Sequence, residues 1–362
     1  MSIRERMTNA YLGKRDEIIP VGIYSRYLPR GNCERSIRNS GLGIIKYYPM
    51  VSLLSPPWHI LPGFLSEVKG AEFAVKTRWE KGVELQERSY TTPVGNVSQI
   101  IKRDLQAAGS EQIIKHYITT LEDYKVVQYL IENTVLRSNL DDFKRLEETL
   151  GEDGVVLCRL DRSGYQKLMI ELVGPERFFL DYFDYPELIE ELINTIDRRC
   201  DEQLDKVLTT GRKLIWQPDN ISGDMTPPDI FERLHLPVYH NRQSKIQEAE
   251  GCYIVHIDGK ISSLLPSLER LGSCVIESFS LPCIGGDLEL SEVSKKLENH
   301  RIFPNFPSNW TRLSEQELRQ NCEILKKGLE DLEYPTMLQV SEDIPEYSYK
   351  FTLPIIMNVF NA

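Results

Sequence analysis

The chain has 362 residues, 41% hydrophobic and 27% charged, enough apolar material for a packed core and too much for a disordered chain. Its 43 lysines and arginines stand against 54 aspartates and glutamates, and the resulting charge of -11 repels a phosphate backbone, so nucleic acid is not an expected partner. No window approaches the roughly 18 uninterrupted apolar residues of a membrane span.

The first residues, from Met1 to Glu17, are rich in charge and hold no apolar signal core, so a cytoplasmic chain is expected. Seven cysteines, an odd number with no C-x-x-C, read as reduced thiols rather than a disulfide framework.

In chain order, the first predicted elements are strands over Ile18 to Tyr24 and Gly43 to Tyr47. Phe73, Val75, Thr77 and Trp79, then Val83, Leu85, Glu87 and Ser89, alternate around Lys81-Gly82 and predict a β-hairpin. Helices are predicted over Ser98 to Ala107 and Ile113 to Asn139. Strands then fall at Gly154 to Leu160, Lys213 to Gln217, Cys252 to Ile257, Cys274 to Glu277, Arg301 to Phe306 and Thr336 to Ser341. Between them the helical pattern covers Tyr185 to Thr209, Thr226 to Ala249, Ile261 to Leu271, Leu288 to Asn299 and Ser314 to Leu332. Strands alternating with helices imply parallel βαβ units. About eight of them predict an α/β fold, a single (β/α)₈ TIM barrel with an N-terminal extension, taken as one domain over 1–362 with a hairpin insert near 72–97.

In such a barrel the loops after the strands form the active-site mouth, so polar residues at strand ends are the first candidates. They are Asp219-Asn220, His256 with Asp258, Glu277, Asn305, and Ser341-Glu342-Asp343. His256 is the sharpest, because a strand-end imidazole can shuttle a proton or bind a metal, while Gly259 lets the chain turn away at once. The bland alternative is an imidazole bonded to a neighbouring carbonyl. Glu277 ends the next strand and is costly to bury unpaired. His235 and His240, beside Pro237, suit core or helix-end roles, and His59 in the proline-rich loop Ser55 to Pro62 is a weaker mouth candidate. Gly285-Gly286 forms either an anion-binding nest or a turn. No G-x-G-x-x-G, P-loop, H-E-x-x-H or G-x-S-x-G string occurs, which removes the main support for dinucleotide, NTP, zincin and α/β-hydrolase chemistry.

Several strings together resemble the uroporphyrinogen decarboxylase superfamily. They are Pro20-Val21 with Arg26-Tyr27-Leu28-Pro29, the run from Tyr90 through Pro93 to Gly95, the run from Leu172 to Asp181 followed by Tyr185-Pro186-Glu187, and His256-x-Asp258-Gly259 followed by Glu277 and Asp287. The resemblance implies the barrel fold and two chemistries, decarboxylation of a porphyrinogen or methyl transfer to a corrinoid carrier. The decarboxylases hold their acidic substrate with arginines in a string like MRQAGRYLPE; here the segment reads IYSRYLPRG, leaving Arg26 and Arg30.

The methyltransferase branch is closer, and its zinc pattern is His-x-Cys with a second Cys near the last strand. Here Asp258 replaces the first Cys, and Ser341 and Glu342 stand near the last strand. The resemblance therefore implies zinc held by His256, Glu277, Asp258 and Glu342, with Asp219, Asn305 and Tyr24 as further catalytic candidates. An oxygen-rich zinc is a harder Lewis acid, suited to polarising an ether oxygen. The expected activity is transfer of a methyl group from a methoxylated or similar small molecule to the cobalt of a corrinoid protein partner. The alternatives are decarboxylation with Asp219 and Arg26, and a non-catalytic barrel that binds a ligand or partner.

Overall fold

A computed structural model describes residues 1–53, 67–104 and 110–362. The candidate His59 lies outside them. The chain packs as two compact units, and each is described by itself. The first comprises Met1–Tyr48, Leu140–Arg159 and Thr210–Ala362, and the second Pro49–Asn139 and Leu160–Thr209.

All eight strands of a (β/α)₈ barrel lie in the first unit: β1 (Val21–Tyr24), β2 (Gly43–Tyr48), β3 (Gly154–Arg159), β4 (Leu214–Ile221), β5 (Cys252–Ile257), β6 (Val275–Phe279), β7 (Arg301–Pro304) and β8 (Leu338–Val340). They pair in parallel in the order β7-β6-β5-β4-β3-β2-β1-β8. Asn305 bridges Gln339, and the Phe306 N–H donates to the Gln339 carbonyl at 2.6 Å, which joins the two ends of the order. Runs such as Cys252-Tyr-Ile-Val are apolar at every position because both faces of a barrel strand are covered, one by the interior and one by helices.

The interior is filled by alternate residues, among them Ile45, Leu157, Ile254, Val275, Phe303 and Met337. The N-terminal extension contributes to it. The helix Ile3–Tyr11, begun by a capping box between Ser2 and Glu5, buries Met7, Ala10 and Tyr11 in the same cluster. Gly43 makes room for it, since a Cβ there would sit 2.2 Å from Met7 Sδ.

The second unit carries a four-stranded antiparallel sheet, Glu72–Glu80, Val83–Thr92, Gly95–Asp104 and Ser110–Lys115. The expected hairpin is present, with Glu80 paired to Val83 and positive φ at both Lys81 and Gly82, the type I′ signature. Of the helix expected over Ser98 to Ala107, the part up to Asp104 is instead strand, and the rest lies outside the described residues. Val97, Gln99 and Ile101 are buried while Ser98, Ile100 and Lys102 are more open, so the pattern has a period of two, and pairing with Val83–Thr92 uses it.

The helix expected from Ile113 begins only at Leu121, because Ile113 pairs with Ile101 and a Thr120–Asp123 capping box sets the true start. The same unit buries a charge network. Lys167 Nζ donates to Asp161 at 2.7 Å and Glu171 at 3.2 Å, and Arg162 Nε donates to Glu171 at 3.1 Å. Among the described residues no helix is long and apolar enough to cross a membrane. The seven cysteines are all free.

Candidate active site

Inward positions of four barrel strands converge at their C-terminal ends. Tyr24 ends β1, Trp216 lies in β4, His256 in β5 and Glu277 in β6, and all four are buried. His256 and Glu277 are register partners in the parallel β5–β6 pair, which sets their side chains side by side. His256 Nδ1 donates to Glu277 Oε2 at 2.6 Å. The indole N–H of Trp216 donates to the same oxygen at 3.1 Å, and the Tyr24 hydroxyl donates to Glu277 Oε1. Three donors thus satisfy a fully enclosed carboxylate that would otherwise be very costly to bury.

The other imidazole nitrogen, Nε2, lies 3.6 Å from Asp258 Oδ2, which also accepts from the Asn220 amide at 3.1 Å. Asp258 is partly open to solvent while Glu277 is not. Burial opposes a charge on His256, but Glu277 and Asp258 together outweigh it and push the imidazole up to about 10. At neutral pH the ring is an imidazolium, with Nδ1 donating to Glu277 and Nε2 facing the Asp258 carboxylate at 3.6 Å. Burial, then the Glu277 charge, hold Tyr24 well above the usual phenol range, so it stays a neutral donor. Tyr47 stacks on Trp216 at 4.6 Å between centroids, and Tyr24 meets Tyr47 edge-on at 5.5 Å, giving the site an aromatic wall.

Backbone strain marks the same rim. Ser278, next to Glu277, has φ +64, and Asn220 has φ +53, both outside the glycine class that normally occupies this region. The Asn220 conformation accompanies the amide's bond to Asp258, and Ser278 is held by the Ser341 hydroxyl at 2.7 Å and by Gln339.

Tyr24, His256, Asp258 and Glu277 of the sequence candidates therefore meet; the others are placed elsewhere. Asp219 is fully enclosed and accepts from Tyr239 of the helix Leu236–Glu248 and from Gln217 at 3.2 Å. That network continues from Gln217 to Arg242 at 3.1 Å and Tyr253 at 3.3 Å, on the outer side of the strands. Asn305 is buried and accepts from the Ser341 N–H at 3.1 Å. Glu342 is exposed and accepts from Ser308 at 2.9 Å. His235 packs between Phe231 and Tyr239, and burial lowers it to about 4. Gly285 and Gly286 form a turn whose N–H groups go to Pro282 and Leu281 carbonyls.

The four expected zinc ligands do not fit that ion as arranged. Glu277 Oε2 already accepts from Trp216 and His256 and Oε1 from Tyr24, Glu342 is bonded to Ser308, and among the described residues no group of three or more His, Cys, Asp or Glu could hold a metal. Trp216 is the main member of the site that sequence reasoning passed over. Its signal is parity, since it shares the inward face of its strand one turn of the pleat before the mouth.

Fold and site together define a (β/α)₈ barrel with a buried His256–Glu277 pair at the C-terminal ends of its strands. The family model described as Uroporphyrinogen decarboxylase (URO-D) matches residues 109–281, so the chain is similar to that family over this stretch. No curated protein matches the chain.

Proposed function

We propose that the protein transfers a methyl group from a methoxylated or similar small-molecule donor to the cobalt of a corrinoid protein, with His256 as general acid. The observation that carries this reading is the imidazole bonded to Glu277 on Nδ1 at 2.6 Å and facing Asp258 on Nε2 at 3.6 Å. Displacing a methyl group from an ether oxygen leaves a poor anion, and a proton supplied as the bond breaks removes that obstacle. An electron pair from the acceptor forms the new bond to the methyl carbon. The carbon–oxygen bond breaks, its pair stays on oxygen, and the Nε2 proton of His256 moves to that oxygen. Solvent reached past the half-open Asp258 then restores the proton.

Glu277 orients the ring and stabilises its charge, while Tyr24 and Trp216 hold Glu277. The carboxylates at the strand ends, Asp258 with Glu342 and Asp343, disfavour a porphyrinogen bearing many acids, and Arg26 is exposed over the Tyr27 ring at 5.0 Å. That favours methyl transfer over decarboxylation. The test incubates the purified chain with reduced corrinoid protein and methoxylated donors of graded leaving-group acidity, following cobalt methylation by absorbance, beside an assay of carbon dioxide release from uroporphyrinogen. Cobalt methylation that depends on His256 supports the reading, and carbon dioxide release without methylation overturns it.

A further inference from the structure

A second cleft, independent of the mouth, opens beside β7 between the helices Leu290–Lys296 and Glu315–Glu330, with a volume of about 340 Å³. Its floor is Leu290, Ile302, Leu332 and His300. His300 is almost wholly buried, and neither ring nitrogen has a hydrogen-bond partner among the described residues. Buried polar groups in native proteins nearly always have partners, so an imidazole left this way at the bottom of a cleft points to a ligand. Burial, and then the Arg301 charge, lower the ring to about 4. It is therefore a neutral group offering one donor and one acceptor.

The rim carries Glu298, Asp331 and Glu333 against Lys295 alone. A glycine also keeps the space open. Gly328 lies inside a helix, where glycine is unfavourable, yet an added Cβ would meet only Leu290 Cδ1 at 3.9 Å. No close contact demands glycine there, and a larger side chain would fill the cleft.

We propose that this cleft binds a small organic cation, its hydroxyl end bonded to the His300 ring, its apolar middle on Leu290, Ile302 and Leu332, and its ammonium among Glu298, Asp331 and Glu333. The volume is at the lower end of ligand pockets, which limits the ligand to a small molecule.

The test titrates 5-amino-1-pentanol into the full chain labelled with nitrogen-15 in histidine and follows the ring resonances of His300. The expected result is a saturable shift with a Kd of about 1 mM or tighter, weakened at least about tenfold for pentanoate. Gly328→Leu should abolish it while leaving the His256 resonances in place. Should that variant not fold, His300→Phe decides, because it should bind 5-amino-1-pentanol and pentylamine equally well, whereas the unaltered chain prefers the alcohol. Absence of any shift, binding unchanged in Gly328→Leu, or pentanoate binding as tightly as the amino alcohol would each overturn the proposal.

Discussion

His256 and Glu277 are register partners on adjacent parallel strands, and their side chains close the 2.6 Å contact without leaving the barrel interior. The pair ties protonation to folding. The imidazole rises from 6.5 to about 10 in the folded chain, so its contribution to stability is fully present below pH 6.5 and is lost as pH climbs toward 10. Within that window the loss is at most about 1.4 kcal/mol per pH unit. Urea unfolding of the wild type and of His256→Asn should therefore show a stability gap that narrows between pH 6.5 and pH 9. A gap that stays constant with pH would rule out a charged imidazole.

Removing the proton donor should slow the reaction in proportion to how badly the leaving group needs it. His256→Asn is expected to lower kcat by roughly 10² to 10⁴ for alkyl ethers, the usual range for a lost general acid, and by much less for donors with an acidic leaving group. Equal losses across the donor series would remove the acid role.

Asp258 adds its charge beside Nε2, and the Asn220 amide steadies it. Asp258→Asn should let the imidazole fall, so the alkaline limb of the rate profile moves to lower pH while the rate at pH 6 changes little. A pH profile that keeps its limb would mean that Glu277 alone holds the proton.

The eight strands were legible because barrel strands are buried on both faces, so stretches such as Cys252 to Ile257 stand out as short apolar runs closed by turn residues. The segment after Gly95 was not. Lys102, Arg103, Leu105 and Ala107 favour helix, and only pairing with Val83–Thr92 makes the alternation of Val97, Gln99 and Ile101 count. At the site, strand-end position found His256 and Glu277, but the role of Glu277 depends on Tyr24 and Trp216, which barrel closure alone brings to it. Asp219 sits an odd number of residues from Trp216, so it faces the outer helix with Gln217. Parity along the strand, applied to both, separates the mouth residue from the structural one.

The buried network of the second unit makes a separate prediction. Lys167 balances Asp161 and Glu171 in a place closed to water, and its pKa is raised because those carboxylates outweigh the desolvation that opposes the charge. Lys167→Met leaves excess negative charge enclosed, and should cost roughly 3 to 5 kcal/mol of stability by urea unfolding. A loss below about 1 kcal/mol would mean that the network relaxes or takes up protons instead.

Chelation tests the donor arrangement at the mouth. A zinc ligand must offer a free lone pair, and Glu277 keeps one only on the oxygen that accepts from Tyr24, because the other accepts from both Trp216 and His256. Recruiting the Trp216-bonded oxygen would strip the buried indole donor of its partner, and recruiting His256 Nε2 would expel the proton that Glu277 and Asp258 hold on the ring. Both changes are unfavourable in an enclosed site. Dialysis against dipicolinate should accordingly leave the methyl-transfer rate within about twofold of the untreated enzyme, since nothing in the acid step draws on a metal. Elemental analysis of untagged protein gives the second readout. Zinc near one per chain, together with a rate that dipicolinate abolishes and zinc restores, would show that the mouth rearranges around a metal and that His256 acts as a ligand instead of an acid.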